Sequence, residues 1–247
     1  MASKTSILDN RGPELIRLFA AFLLLFSVQV GASPYDPLID SAARRHGIDP
    51  IVMRAIVQKE TGKTPWTFNC DGEGFYFNQK NQAVWALWQI SKNPWMVKIV
   101  PTKGETVRQF FPTSGTAKAF LSSYLKSQIN VGLRPATLRH DDKKTVNRGE
   151  ARIRQLWVVN TDIGIAQVNY RFHGVSRARV QQWFEPSYNL DYAASLVAKH
   201  KQQGKSDLQA AGDYHSKTPG VRSVYMKALM PIYQREKSRA ITTLATN

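Results

Sequence analysis

Residues 49–62 read Asp49-Pro50-Ile51-Val52-Met53-Arg54-Ala55-Ile56-Val57-Gln58-Lys59-Glu60-Thr61-Gly62. Asp followed by Pro is a helix start: the short acceptor side chain caps orphan amides, and proline at the first helical position sacrifices no hydrogen bond. Ile51, Val52, Ala55, Ile56 and Val57 supply the apolar body, and Gly62 is the stop. Val52, Ile56 and Glu60 follow one another at i, i+4 and i+8, which puts a carboxylate on the apolar stripe of its own helix. Glu60 also stands at the C-terminal end, where the helix dipole is negative. Both features disfavour the anion and predict a raised pKa. A carboxylic acid still protonated near neutral pH is what general acid catalysis requires. The same spacing also fits an exposed glutamate at a frayed helix end.

Upstream, Asp36-Pro37 repeats the start signal with Asp36 as the expected N-cap; Leu38, Ile39, Ala42 and Ala43 follow, and Gly47 is the stop. Two short helices joined by a tight turn are predicted. Downstream, aromatic runs on either side of Asp71-Gly72 predict a hairpin. Apolar periodicity predicts helices over 79–90, 115–131, 175–184, 190–203 and 219–235, with short ones over 150–157 and 207–213 and a tail at 241–247. No linker obviously divides the chain, so one domain over 33–240 is expected, with a long middle insertion at about 91–155. Within that insertion, residues 134–154 carry seven Lys or Arg against three acids and read as a solvated, anion-facing stretch.

The 247-residue chain carries a net charge of +16, with 43% hydrophobic and 21% charged residues, which excludes a disordered or collagen-like chain. The single cysteine, Cys70, excludes an intramolecular disulfide and a multi-cysteine metal site. Residues 1–32 read as a cleavable secretory signal: a weakly basic start, an uncharged apolar run at 18–28, and Val30-Gly31-Ala32 before the cut. Cleavage removes three basic and two acidic side chains, so +16 becomes +15. Without cleavage the same segment would be a membrane anchor. A secreted chain of this charge is expected to meet an acidic partner, such as cell-wall polymer, anionic lipid or nucleic acid.

Two further constellations carry chemistry. Asp162-Ile163-Gly164-Ile165-Ala166-Gln167-Val168-Asn169 joins a glycine that permits close backbone approach to two amides that both donate and accept, suited to sugar hydroxyl and acetamido groups. Asp213-Tyr214-His215-Ser216 lies between two helices, where the Tyr214 hydroxyl could hold the acid or the substrate. The five histidines show no metal-ligand spacing, and surface or capping roles are expected for them. No metal and no cofactor are implied.

In order, these segments resemble the lytic transglycosylases of the soluble-transglycosylase (goose-lysozyme-like) superfamily, in particular the branch that accompanies conjugation and type IV secretion systems. Tyr35-Asp36-Pro37-Leu38-Ile39 and Asp49-Pro50 match the opening helices, and Glu60-Thr61-Gly62 stands where the family has Glu-Ser-Gly. Gly164-Ile165-Ala166-Gln167-Val168-Asn169 is similar to Gly-Leu-Met-Gln-Ile-Asn, with Ala166 in place of the methionine. Pro186, Asn189 and Leu190 match a following helix, Tyr214-His215-Ser216 matches the family's Tyr-Asn-Gly or Tyr-His-Ser, and Pro65-Trp66-Thr67-Phe68-Asn69 with Asp71-Gly72 is similar to the conjugation branch. The family's serine before the Gly-x-x-Gln motif has no clear counterpart.

The resemblance implies a mainly α, lysozyme-like (α+β) fold with a small β-hairpin and the long middle insertion. It implies Glu60 as the sole catalytic acid/base, with Gly164, Gln167, Asn169, Tyr214 and Asp162 binding substrate. The substrate would be the peptidoglycan glycan strand, cut between N-acetylmuramic acid and N-acetylglucosamine with a 1,6-anhydro end, in the periplasm and beside the components of a secretion or conjugation machine. One carboxylate then suffices where ordinary glycosidases use two. A lysozyme-type muramidase is the alternative, with Asp162, Asp71, Glu73 or Glu185 as second carboxylate. A non-catalytic wall-binding component is another. A nucleic-acid binder is a third, though no binding motif for a specific nucleic acid is present.

Overall fold

The computed structural model describes residues 33–140, 145–201 and 204–245. Residues 1–32, where the targeting segment is expected, lie outside the described residues. Local chemistry sets the first two helices. Helix α1 spans Asp36–Arg45 and helix α2 spans Pro50–Thr61. Asp49 caps α2 by accepting from the Ile51 amide at 2.8 Å, and Gly62, with φ of +62°, ends it in a left-handed turn. Asp36 departs from its expected role. It is the first helical residue, with Tyr35 at the N-cap, and its carboxylate accepts from the Ser33 amide.

The chain divides into two compact units. One consists of residues 86–158, and the other of the described residues within 29–85 and 159–247. The latter unit holds α1 and α2, a four-stranded sheet and the C-terminal helices α5 (Val180–Trp183), α6 (Pro186–Lys201), α7 (Asp207–His215) and α8 (Pro219–Ala245). Its sheet runs β2-β1-β7-β8, from β1 (Thr67–Cys70), β2 (Glu73–Tyr76), β7 (Thr161–Ile163) and β8 (Val168–Asn169), antiparallel throughout. Asp71 and Gly72 turn the β1–β2 hairpin with φ of +51° and +87°, the pair of left-handed residues that a tight two-residue hairpin requires. Helix α2 packs along α8 and α1, and α6 along α1 and α7, around Ile39, Met53, Ile56, Leu190 and Leu229, all fully buried.

A buried ion triad ties three of these helices. Lys63 follows the α2 stop with φ of +64°, and its amino group lies 2.7 Å from Asp36 of α1 and 2.9 Å from Glu236 of α8. All three side chains are at most 5% exposed.

Helix α3 (Lys80–Lys92) runs from this unit into the one formed by residues 86–158. There the sheet order is β4-β3-β6-β5, from β3 (Trp95–Val100), β4 (Val107–Phe111), β5 (Thr137–Arg139) and β6 (Glu150–Gln155). Strand β5 pairs in parallel with β6, and the other pairs are antiparallel. Helix α4 (Ser114–Asn130), capped by Thr113, packs Ala117 and Leu121 onto Val97, Ile99 and Ala151.

Several expectations are corrected. The fold is α+β with two four-stranded sheets, so the hairpin is one half of a sheet and "mainly α" understates the strands. The short helix expected over 150–157 is strand β6: Ala151 and Ile153 alternate with charged residues at period two and pair with β3. The basic stretch is therefore partly structural, with Arg152 only 7% exposed and Arg139 paired to Glu150 at 2.8 Å. The helix expected over 175–184 shrinks to α5, preceded by a π-helical turn at Tyr170–Gly174. Helix α8 passes through Pro231 and continues to Ala245, into the expected tail.

Removing Lys63 leaves two buried carboxylates facing each other. Lys63→Met is expected to cost about 3–5 kcal/mol in urea unfolding, whereas replacing Lys63, Asp36 and Glu236 together by apolar residues recovers most of that loss.

Candidate functional site

The sheet of the α8-containing unit presents a polar row. Gly74, Asn69, Asp162 and Asn169 are direct cross-strand partners over β2, β1, β7 and β8, so the pleat turns all four to one face. The row lines a groove of about 410 Å³, whose other walls include Glu60, Gln167, Tyr214 and His215. Tyr76 and Phe172, 60% and 68% exposed, stand on its rim. Exposed aromatic rings beside a polar groove are suited to stacking on the apolar faces of sugar rings.

Glu60 enters the groove from the last turn of α2 with its side chain 16% exposed. Burial pushes its pKa up, and the Asp162 charge adds to the rise, while Tyr225 and Lys59 oppose it. The Tyr225 hydroxyl is the near neighbour of this carboxylate, yet both it and Glu60 Oε1 are buried without a geometrically sound hydrogen bond. Burial and the adjacent carboxylate push the Tyr225 phenol far up, so it remains a donor. His215 Nδ1 lies 4.0 Å from Glu60 Oε1, and its ring stacks flat on Tyr225 at 4.1 Å. Burial and Lys59 hold the imidazole pKa below its usual value. Glu60 thus faces an uncharged ring and a phenol.

The Asp162–Asn169 segment is held from behind. Asn189, fully buried in α6, accepts from the Ala166 amide at 2.9 Å and donates to the carbonyls of Ile163 and Trp183 at 2.9 and 3.0 Å. Gly164, with φ of +80°, has room for no side chain: a Cβ would fall 2.6 Å from the Asn189 amide nitrogen and the Trp183 carbonyl. Its close approach is therefore to α5 and α6, and the groove lining is supplied by its neighbours Asp162, Gln167, Val168 and Asn169. Tyr214 supports the same segment. Its hydroxyl donates to the Ala166 carbonyl at 2.6 Å and anchors the segment, while its ring lines the groove. Asn169 donates to Asp162 at 2.7 Å and to Asn160 at 3.2 Å, so it orients the carboxylate. Gln167, with φ of +52°, donates to the Gly164 carbonyl at 2.9 Å and faces the groove. Burial raises the Asp162 pKa, and the Asn169 amide opposes the rise.

Thus Glu60, Asp162, Gln167, Asn169 and Tyr214 converge on the groove, whereas Asp71, Glu73 and Glu185 do not line it and Glu185 pairs with Lys80. His215, expected at the surface or as a helix cap, is exposed in the last turn of α7 and also forms a wall of the groove. Tyr225 belongs to the site although its spacing reads only as part of an apolar helical stripe, and Tyr76, Phe172 and Asn69 likewise gave no separate signal. Among the described residues no three His, Cys, Asp or Glu side chains converge as a metal site, and no helix is long and apolar enough to cross a membrane. Scans of the chain against protein-family models, curated proteins and solved structures return no match.

A raised carboxyl pKa means that the folded state keeps a proton the unfolded chain releases. Wild-type stability should therefore fall as pH rises from about 4.3, the ordinary glutamate value, through the raised value of Glu60. Glu60→Gln escapes this loss. In urea titrations it should be more stable than wild type near pH 7, with the gap closing as pH drops below about 4.

Proposed function

We propose that this chain is a peptidoglycan lytic transglycosylase with a lysozyme-like catalytic unit. The observation that carries the reading is Glu60, a carboxyl with a raised pKa, buried in a groove that carries a row of amide side chains and is rimmed by exposed aromatic rings. The ordered resemblance of Glu60-Thr61-Gly62, Gly164–Asn169 and Tyr214-His215-Ser216 to that family adds to it. Protonated Glu60 donates to the glycosidic oxygen as the bond from C1 of N-acetylmuramic acid breaks. The resulting carboxylate then takes the proton of the C6 hydroxyl as its oxygen attacks C1. The bond to N-acetylglucosamine is replaced by an internal 1,6 bond, Glu60 regains its proton, and no water is consumed. Tyr225 fits the role of steadying the transient carboxylate. The reading places the chain in the periplasm, where its charge suits an anionic wall, and gives it a use in opening that wall for a secretion or conjugation apparatus.

Asp162 favours one alternative. It lies in the same groove and interacts with Glu60 electrostatically, so a muramidase in which Asp162 assists water is the second reading.

Glu60→Gln keeps the shape and removes the transferable proton. Cleavage of purified peptidoglycan should fall by at least about 10², the lower weight of general acid catalysis, with the circular dichroism spectrum unchanged. Near wild-type turnover in this variant would overturn the assignment. Mass spectrometry of the released fragments separates the two readings: 1,6-anhydro ends support the transglycosylase, and products one water heavier support the muramidase.

A further inference from the structure

A second pocket adjoins the groove across one side chain. It is lined by Lys59, His215, Val221, Val224, Tyr225 and Ala228, with a volume of about 330 Å³. His215 is the wall common to both cavities. Val221 and Val224 are 48% and 70% exposed, so α8 turns an apolar strip outward beside the site. Among the described residues Lys59 has no carboxylate within ion-pair distance, and its amino group lies 5.7 Å from the centre of the Tyr225 ring. The pocket thus has an apolar floor, an aromatic wall and one cation without an ion-pair partner.

We propose that this pocket is a subsite for the acidic stem peptide of the wall polymer. The inference rests on the function proposed above. The muramic acid ring whose C1 is attacked carries its peptide through the lactyl group of the same ring. That peptide therefore leaves the sugar within a few bonds of the atom Glu60 protonates. A cavity one side chain away from Glu60 lies within its reach. Lys59 complements a peptide carboxylate, and Val221, Val224 and Ala228 accept its alkyl groups. A further sugar of the strand would call for several amide and hydroxyl partners, whereas this lining offers no amide side chain, and its one hydroxyl, that of Tyr225, is buried beside Glu60. The pocket gives the enzyme a preference for peptide-bearing over denuded strands.

Two measurements test this. In the first, a synthetic wall tripeptide is titrated into the full chain while the valine methyl resonances are followed by NMR. Shifts confined to Val221 and Val224 are expected, with the apparent affinity about tenfold weaker in Lys59→Met and restored in Lys59→Arg, the weight of one charge-assisted hydrogen bond. No shift at saturating peptide overturns the proposal. In the second, kcat/KM is compared for strands with and without stem peptides. Val224→Glu, at an exposed position outside the groove, should lower turnover of peptide-bearing strands about tenfold and leave denuded strands unchanged. An equal loss on both substrates assigns the pocket to a sugar and overturns the proposal, as does no loss on either. If wild type binds the tripeptide at these methyls but cleaves neither strand, the transglycosylase reading falls and the peptide site stands.

Discussion

The site depends on one buried charge constellation, the amino group of Lys63 between Asp36 and Glu236. Taking three charged groups out of water is costly, and the arrangement holds only while all three meet. Satisfying it fixes the start of α1, the end of α2 and the far part of α8 relative to one another. Glu60 lies three residues before Lys63, and Tyr225 lies on the same helix as Glu236, so the triad also sets where the carboxyl meets the phenol. The turn that brings Lys63 inward needs two consecutive left-handed residues, Gly62 and Lys63 itself. Glycine takes the first without strain, and the ion pairs compensate for the second.

Around Glu60 the environment is arranged by subtraction of charge. His215 is held below its usual pKa, Tyr225 and Tyr214 are pushed well above theirs, and the nearest full charges, Lys59 and Asp162, act on Glu60 in opposite directions. Desolvation is left as the largest influence, and it favours the neutral acid. Asp162 is buried in the same groove but accepts a hydrogen bond from Asn169, which opposes the rise of its pKa. Two carboxyl groups in one cavity thus experience different surroundings, because one sits at a helix end against rings and the other in a strand against an amide.

Much of this was legible in the chain. Asp49-Pro50 and Gly62 bound α2 where the spacing predicted, and Asp71-Gly72 turn the hairpin. The placement of Glu60 on an apolar stripe anticipated its burial, because a helix imposes its own periodicity on neighbours four residues apart. Strand β6 was missed because alternation over six residues with arginine at every second position resembles a basic loop until β3 is known to pair with it. The packing of Gly164 and the anchoring bond of Tyr214 gave no signal in the sequence because their partners, Asn189, Trp183 and Ala166, come from elsewhere in the chain or present only backbone atoms.

What the sequence determined by itself is local: helix starts and stops, the hairpin turn, the side of α2 on which Glu60 lies, and the overall charge. These follow from interactions within a few residues, where backbone sterics and helical spacing leave little choice. Tertiary structure alone decided that Asn69, Asp162 and Asn169 form one row, that the stripe of α8 delivers Tyr225 to Glu60, and that His215 closes the groove. Those outcomes depend on strand register and helix packing between residues far apart in the chain, and the free energy that selects them belongs to the buried triad, the Asn189 hydrogen bonds and the shared core.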